Sequence, residues 1–171
     1  MNSIPPRFLA CVLGFLASIS LVPSSFGAQY DQRLINISTR ARVGTGDNNA
    51  VITGFVIGPG GSKQVLIRAV GPSLSQPGIG IPSAQVLPNP RIEVYNSDQV
   101  KILENDDWKI SSGGSLATAA DFTSVGAFPF TNNNDAALLA TLAPGGYTVK
   151  VSGSGTTTGL VLAEVLYRRS L

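Results

Sequence analysis

Histidine is missing from all 171 residues. Its absence removes Ser-His-Asp and Cys-His nucleophile activation, imidazole acid–base chemistry and every histidine-ligated metal site. The single cysteine, Cys11, falls within the apolar part of an N-terminal leader. Once the leader is removed, no thiol remains for a disulfide, a thiolate-bound zinc or a cysteine nucleophile. Charge is scarce as well, 13% of residues, with 12 basic against 10 acidic. Losing Arg7 with the leader leaves 11 basic against 10 acidic residues, a net charge of +1. With no basic run, that balance argues against nucleic acid as a partner.

What is present begins with the leader. Residues 1–28 read MNSIPPRFLACVLGFLASISLVPSSFGA, with Arg7 ahead of an apolar run from Phe8 to Val22 and with Pro23 and small residues after it. This is the plan of a secretory signal peptide. The run falls short of the roughly 20 residues that cross a bilayer. Small residues at Ser25 and Gly27 place cleavage after Gly27, so 1–27 is read as signal peptide and 28–171 as one domain. The mature chain is expected outside the cytoplasm, periplasmic or extracellular, with no membrane insertion. A chain of this size buries about two-thirds of its unfolded surface and folds without staples.

The remainder alternates short apolar runs with turn residues. The runs are 34–40 (LINISTR), 50–57 (AVITGFVI), 64–70 (QVLIRAV), 91–96 (RIEVYN), 100–104 (VKILE), 136–142 (AALLATL), 147–152 (YTVKVS) and 159–167 (GLVLAEVLY). They are rich in Val, Ile, Leu and Tyr and bounded by Gly, Pro, Asn and Ser, which reads as strands. Several alternate with period two: Ile92 and Val94 oppose Arg91 and Glu93, Tyr147, Val149 and Val151 oppose Thr148, Lys150 and Ser152, and Val161, Ala163 and Val165 oppose Glu164. One buried face and one wet face is the signature of antiparallel sheets. The only helix-like stretch is short, 115–123. The expected fold is an all-β antiparallel sandwich or jelly roll of about eight strands with one short helix near 115–123. Residues 44–49 (GTGDNN) read as a hairpin turn, and the proline-rich stretch 71–90 as either a functional loop or a crossover between sheets.

The order of the blocks NISTRARVGTGDN (36–48), LIRAVGPSL (66–74), NDDW (105–108) and PGGYTVKVSG (144–153) resembles a poorly characterised repeat domain of secreted bacterial multi-domain proteins. Here a single copy covers nearly the whole mature chain. The resemblance implies secretion and a β fold, and assigns no activity. More distantly, the NDD followed later by PGGYTVKVSG is similar to the bacterial pre-peptidase C-terminal domain. That family is a jelly-roll sandwich of accessory binding modules, some of which bind calcium.

Two features carry candidate chemistry. Asp106 and Asp107, with Asn105 beside them and Asp135 in the distant NNND stretch, are oxygen donors that suit a structural calcium ion. The alternative is a turn in which they bond local backbone N–H groups while Trp108 plugs the core edge. Arg68 sits mid-strand among apolar neighbours. It points either to solvent or inward against a carboxylate, Asp107 or Asp135, because an unpaired buried charge is costly. Glu93, Glu104 and Glu164 are placed on wet faces. No catalytic residue and no cofactor beyond that possible calcium is assigned. The expected function is a monomeric, non-catalytic module contacting extracellular protein or polysaccharide, and the alternative is a carboxylate-based glycan hydrolase.

Overall fold

A computed structural model describes residues 36–110 and 115–168. The expected leader, its cleavage position and Cys11 lie outside the described residues. The described residues form nine strands and one short helix. They are β1 (Asn36–Val43), β2 (Val51–Ile57), β3 (Lys63–Val70), β4 (Pro90–Asn96), β5 (Lys101–Asn105), β6 (Ser115–Leu116), α1 (Ala119–Ser124), β7 (Ala136–Leu142), β8 (Gly145–Gly153) and β9 (Gly159–Tyr167). The chain is an antiparallel β-sandwich. One sheet has the order β1-β9-β3-β7-β6 and the other β2-β8-β4-β5.

The pairing is nested. β1 pairs with β9, β2 with β8, β3 with β7 and β4 with β5, all antiparallel. A long hairpin closed at the β4–β5 turn and rolled on itself produces this arrangement, which is the jelly roll. The chain switches sheets between β1 and β2, β2 and β3, β3 and β4, β5 and β6, β7 and β8, and β8 and β9. The hairpin expected at 44–49 is therefore a sheet-to-sheet crossing with a 3-10 turn at Asp47–Asn49. The 71–90 stretch is likewise a crossover, linking β3 in one sheet to β4 in the other.

Period-two alternation builds the central core. Val65, Ile67 and Ala69 of β3, Ile92 and Val94 of β4, Val149 and Val151 of β8, and Val161, Ala163 and Val165 of β9 interleave between the sheets. Burial at about 25 cal/mol per Å² drives that layer together. The opposite face of the five-stranded sheet is not wet. A second cluster covers it, joining Leu66 and Val70 of β3, Leu139 of β7 and Leu166 of β9 to Leu74, Val86, Phe122 and Phe130. The covering residues come from the 71–90 crossover and the segment around α1. The crossover lies tightly down: Leu87 N–H donates to Leu160 O and Leu160 N–H to Gln85 O, each at 2.7 Å.

The helix begins four residues later than the sequence suggested. Ser115 and Leu116 pair with Leu139 and Leu138 as β6, and α1 starts behind Thr118. The Thr118 side chain accepts from Asp121 N–H, while Asp121 accepts from Thr118 N–H, a reciprocal capping box.

Candidate functional site

The sequence-derived site residues come together in part: Trp108 N–H donates to Asp135 O at 2.9 Å and its indole N–H to Asn132 O at 3.1 Å, so the turn after β5 lies beside the NNND stretch. Asp135 is fully buried, and its carboxylate accepts from Gly71 N–H at 2.7 Å, from Ser73 N–H and from the Ser73 hydroxyl. Burial pushes its carboxyl up, against those hydrogen bonds and the nearby Arg68 cation. Its oxygens are thus committed to the start of the crossover. Asp106 and Asp107 stand partly exposed in the turn after β5. Among the described residues no three His, Cys, Asp or Glu side chains group as a metal site, so Asp106, Asp107 and Asp135 do not form such a cluster by their carboxylates alone. Asn105 takes the local structural role instead. Its amide donates to Asp107 O at 3.1 Å and Ile110 O at 2.8 Å, and its carbonyl accepts from Ala137 N–H at 3.0 Å. Trp108 packs on Phe122 and Phe130 with centroids 5.4 and 5.8 Å away.

Arg68 points inward, and its partner is Glu164 rather than Asp107. The two residues are cross-strand neighbours on β3 and β9, with Arg68 Nε 3.5 Å from Glu164 Oε2. Arg68 is completely buried and Glu164 is 7% exposed, so Glu164 is not on a wet face. Phe122, Phe128 and Phe130 put their ring faces 4.4–4.7 Å from the guanidinium carbon. Cation–π attraction of this kind strengthens where water is excluded. Burial pulls Arg68 down from its usual pKa against the pull of Glu164 and Asp135. Burial also pushes Glu164 up, against Arg68 and a hydrogen bond from Ser38. With Arg68 completely buried and Glu164 nearly so, this cluster is architectural.

The accessible constellation lies on the outer face of the four-stranded sheet. Period-two alternation that buries Ile92, Val94, Val149 and Val151 turns Arg91, Glu93 and Tyr95 of β4 and Lys150 and Ser152 of β8 outward. With Thr157 they line a cleft of about 360 Å³. Its rim is glycine, Gly44 and Gly46 from the β1–β2 crossing and Gly153 and Gly155 from the β8–β9 turn. Its charges are interlocked with Lys101 and Glu104 of the neighbouring β5. Glu93 accepts from Lys101 at 3.2 Å and lies 3.3 Å from Lys150 Nζ. Glu104 accepts from Arg91 at 2.8 Å and Lys101 at 2.6 Å. Desolvation disfavours the Glu93 anion, but hydrogen bonds from Lys101 and Lys150 outweigh it and hold the carboxyl below its ordinary range. Hydrogen bonds from Lys101 and Arg91 do the same for Glu104. Chemically, the cleft offers fixed cations, ionised acceptors, small hydroxyls and one phenol. The sequence placed these side chains outward, but only the β4–β8 pairing and the two crossings join them into a concavity.

These features define the class: an antiparallel β-sandwich with a polar cleft on one outer face. No protein-family model and no curated protein matches the chain. Among the described residues no helix is long and apolar enough to cross a membrane.

Proposed function

We propose that the chain is a secreted, non-catalytic β-sandwich module that binds protein or polysaccharide at the cell exterior, and that the cleft floored by Arg91, Glu93, Tyr95 and Lys150 is its contact surface. The observation that carries this reading is the cleft itself, about 360 Å³ and lined by polar side chains and glycine. Its volume falls in the range of ligand sites. Glycine at the rim lets a ligand approach the main chain, and paired charges present hydrogen-bonding groups already oriented. Polysaccharide is the better match, because hydroxyl-rich rings satisfy both donors and acceptors without displacing an ion pair. The hydrolase alternative is less well supported. A glycosidase needs one carboxyl kept protonated to act as acid, whereas Glu93 and Glu104 are both held ionised.

Affinity electrophoresis through gels containing neutral and acidic polysaccharides tests the proposal. The wild-type chain is expected to be retarded by at least one of them, and Arg91→Ala and Tyr95→Ala are expected to lose most of that retardation while melting normally. Retardation unchanged in both variants would dismiss the cleft as the contact surface. Release of reducing sugar by the purified chain, abolished in Glu93→Gln, would replace the module with the hydrolase.

A further inference from the structure

β2 is an edge strand whose outer side is neither charged nor bulged. Its seven residues, VITGFVI, include no Lys, Glu, Asp or Pro, the devices that usually blunt such edges. Ile52 is 58% and Val56 71% exposed.

The direction of the free main-chain groups follows from the neighbouring ladder. Ser154 N–H donates to Asn89 O, one step beyond the Pro90–Gly153 pair, so even-numbered residues of β8 face β4 and odd-numbered ones face β2. The odd-numbered partners on β2 are Val51, Thr53, Phe55 and Ile57. Ile52, Gly54 and Val56 therefore aim their N–H and C=O groups away from the sheet. Consistent with this, the Tyr167 hydroxyl reaches the Val56 carbonyl at 3.3 Å from the neighbouring sheet. That carbonyl keeps a second lone pair. Among the described residues no strand pairs with this edge.

Gly54 stands at the middle of the edge. Its φ is not positive, and a Cβ there would meet only Tyr147 O at 3.6 Å, an ordinary contact. Among the described residues nothing demands glycine there, although glycine in a strand interior weakens it. Such a glycine marks a close approach of another backbone. The residues around it are nearly palindromic, with Ile52 and Val56 at minus and plus two on the same face.

We propose that β2 pairs antiparallel with β2 of a second copy of this chain about a two-fold axis at Gly54. The pairing makes one continuous eight-stranded sheet. Gly54 faces Gly54 of the partner subunit, and Ile52 faces Val56 of the partner subunit, so each exposed apolar side chain gains an apolar neighbour. An isologous interface of this form closes as a dimer and leaves no further β2 edge to extend. It departs from the monomer expected from the sequence, and it is independent of what the cleft binds.

Sedimentation velocity and directed cross-linking, in a chain carrying Cys11→Ser, test the register. The wild-type chain is expected to be dimeric at tens of micromolar. Gly54→Cys is expected to form a covalent dimer on mild oxidation, since residues in a hydrogen-bonded antiparallel pair lie about 5.5 Å apart, within disulfide reach. Ile52→Cys is expected not to, because the two Ile52 positions are four residues out of register, roughly 13 Å. The doubly substituted Ile52→Lys, Val56→Lys chain is expected to dissociate about tenfold or more readily at unchanged melting temperature. A chain that stays monomeric up to about 200 µM, a dimer indifferent to the two lysines, or equal cross-linking of the Ile52→Cys and Gly54→Cys chains would overturn the proposal. The lysine variant still decides the matter should the glycine substitution impair folding.

Discussion

A single arginine shows how strongly one residue depends on its surroundings. Arg68 is closed in by three phenyl rings and paired with Glu164; the arginine is completely buried and the glutamate nearly so. Removing one member strands the other. Arg68→Met is expected to cost about 3–5 kcal/mol in urea unfolding, the range for breaking a buried pair. Adding Glu164→Met to it is expected to restore much of that loss, because an apolar pair of similar volume carries no desolvation penalty. A single-variant loss below about 0.5 kcal/mol would mean that the site behaves as surface. The pair also dictates a pH effect. Burial raises the folded-state pKa of Glu164 above its unfolded value, and does the same for Asp135. Between those two values the folded state holds more protons, so stability is greatest below the unfolded pKa and falls as pH rises through the folded one. Melting temperature is thus expected to climb on mild acidification from neutral. Glu164→Gln, which cannot ionise, is expected to flatten that climb, and a curve parallel to wild type would refute the assignment. At lower pH, Glu93 and Glu104, whose folded values are depressed, lose their contribution as they protonate.

At the scale of the element, the 71–90 crossover is a structural cover and not a free binding loop. Gly71, Ser73, Leu74, Val86 and Leu87 are buried, while 82–85 stay exposed. Asp135 clamps its start through Gly71 and Ser73, and the Val86–Leu160 bridge holds its end. Gly71 is needed because a Cβ there would fall well inside contact distance of Leu87 O. Gly71→Ala is expected to destabilise by about 1–3 kcal/mol, the usual cost of overpacking. Gly58→Ala, at a turn where a Cβ meets nothing within 4 Å, is expected to stay within about 0.5 kcal/mol of wild type. Equal effects at the two positions in thermal melts would show that the crossover is loosely seated. The β7 edge and a helix cap account for the shifted helix. The 115–123 stretch carries no strong period, so β7's open edge recruits Ser115–Leu116 as a strand and the Thr118–Asp121 cap decides where the helix begins.

For the whole molecule, the nested pairing brings strands that are far apart in sequence, β1 and β9 above all, into one sheet. The turn after β5 lies against the start of β7, with Trp108 N–H donating to Asp135 O at 2.9 Å, but the Asp135 carboxylate is taken up by Gly71 and Ser73, and the polar cleft is on the opposite side of the sandwich from the Arg68 cluster. The fold rests on two apolar layers, one between the sheets and one beneath the crossover. Melting curves with and without a calcium chelator are accordingly expected to coincide, and a downward shift with chelator would call for a bound cation.

Local chemistry made much of this legible in advance. Alternation at 91–94, 147–152 and 161–165 announced strands and their inward residues, and glycine, proline and asparagine between them announced the turns. Those signals act over a few residues, where side-chain direction and backbone preference are decided without a partner. The covered face of β9, the Glu164 partner of Arg68, the sheet switch at 44–49 and the cleft were not legible, whereas the 71–90 crossover was one of the two readings its prolines allowed. Glu164 looks like a wet position until the face it shares with Arg68 is covered, with Phe122, Phe128 and Phe130 over the guanidinium, and only the β3–β9 pairing puts it beside Arg68. The sequence by itself determined where strands begin, which face of most of them is apolar and which reagents of catalysis the chain lacks. Tertiary structure alone decided which strands are neighbours, because pairing is set by burying two sheet faces at once, a condition that no short segment contains.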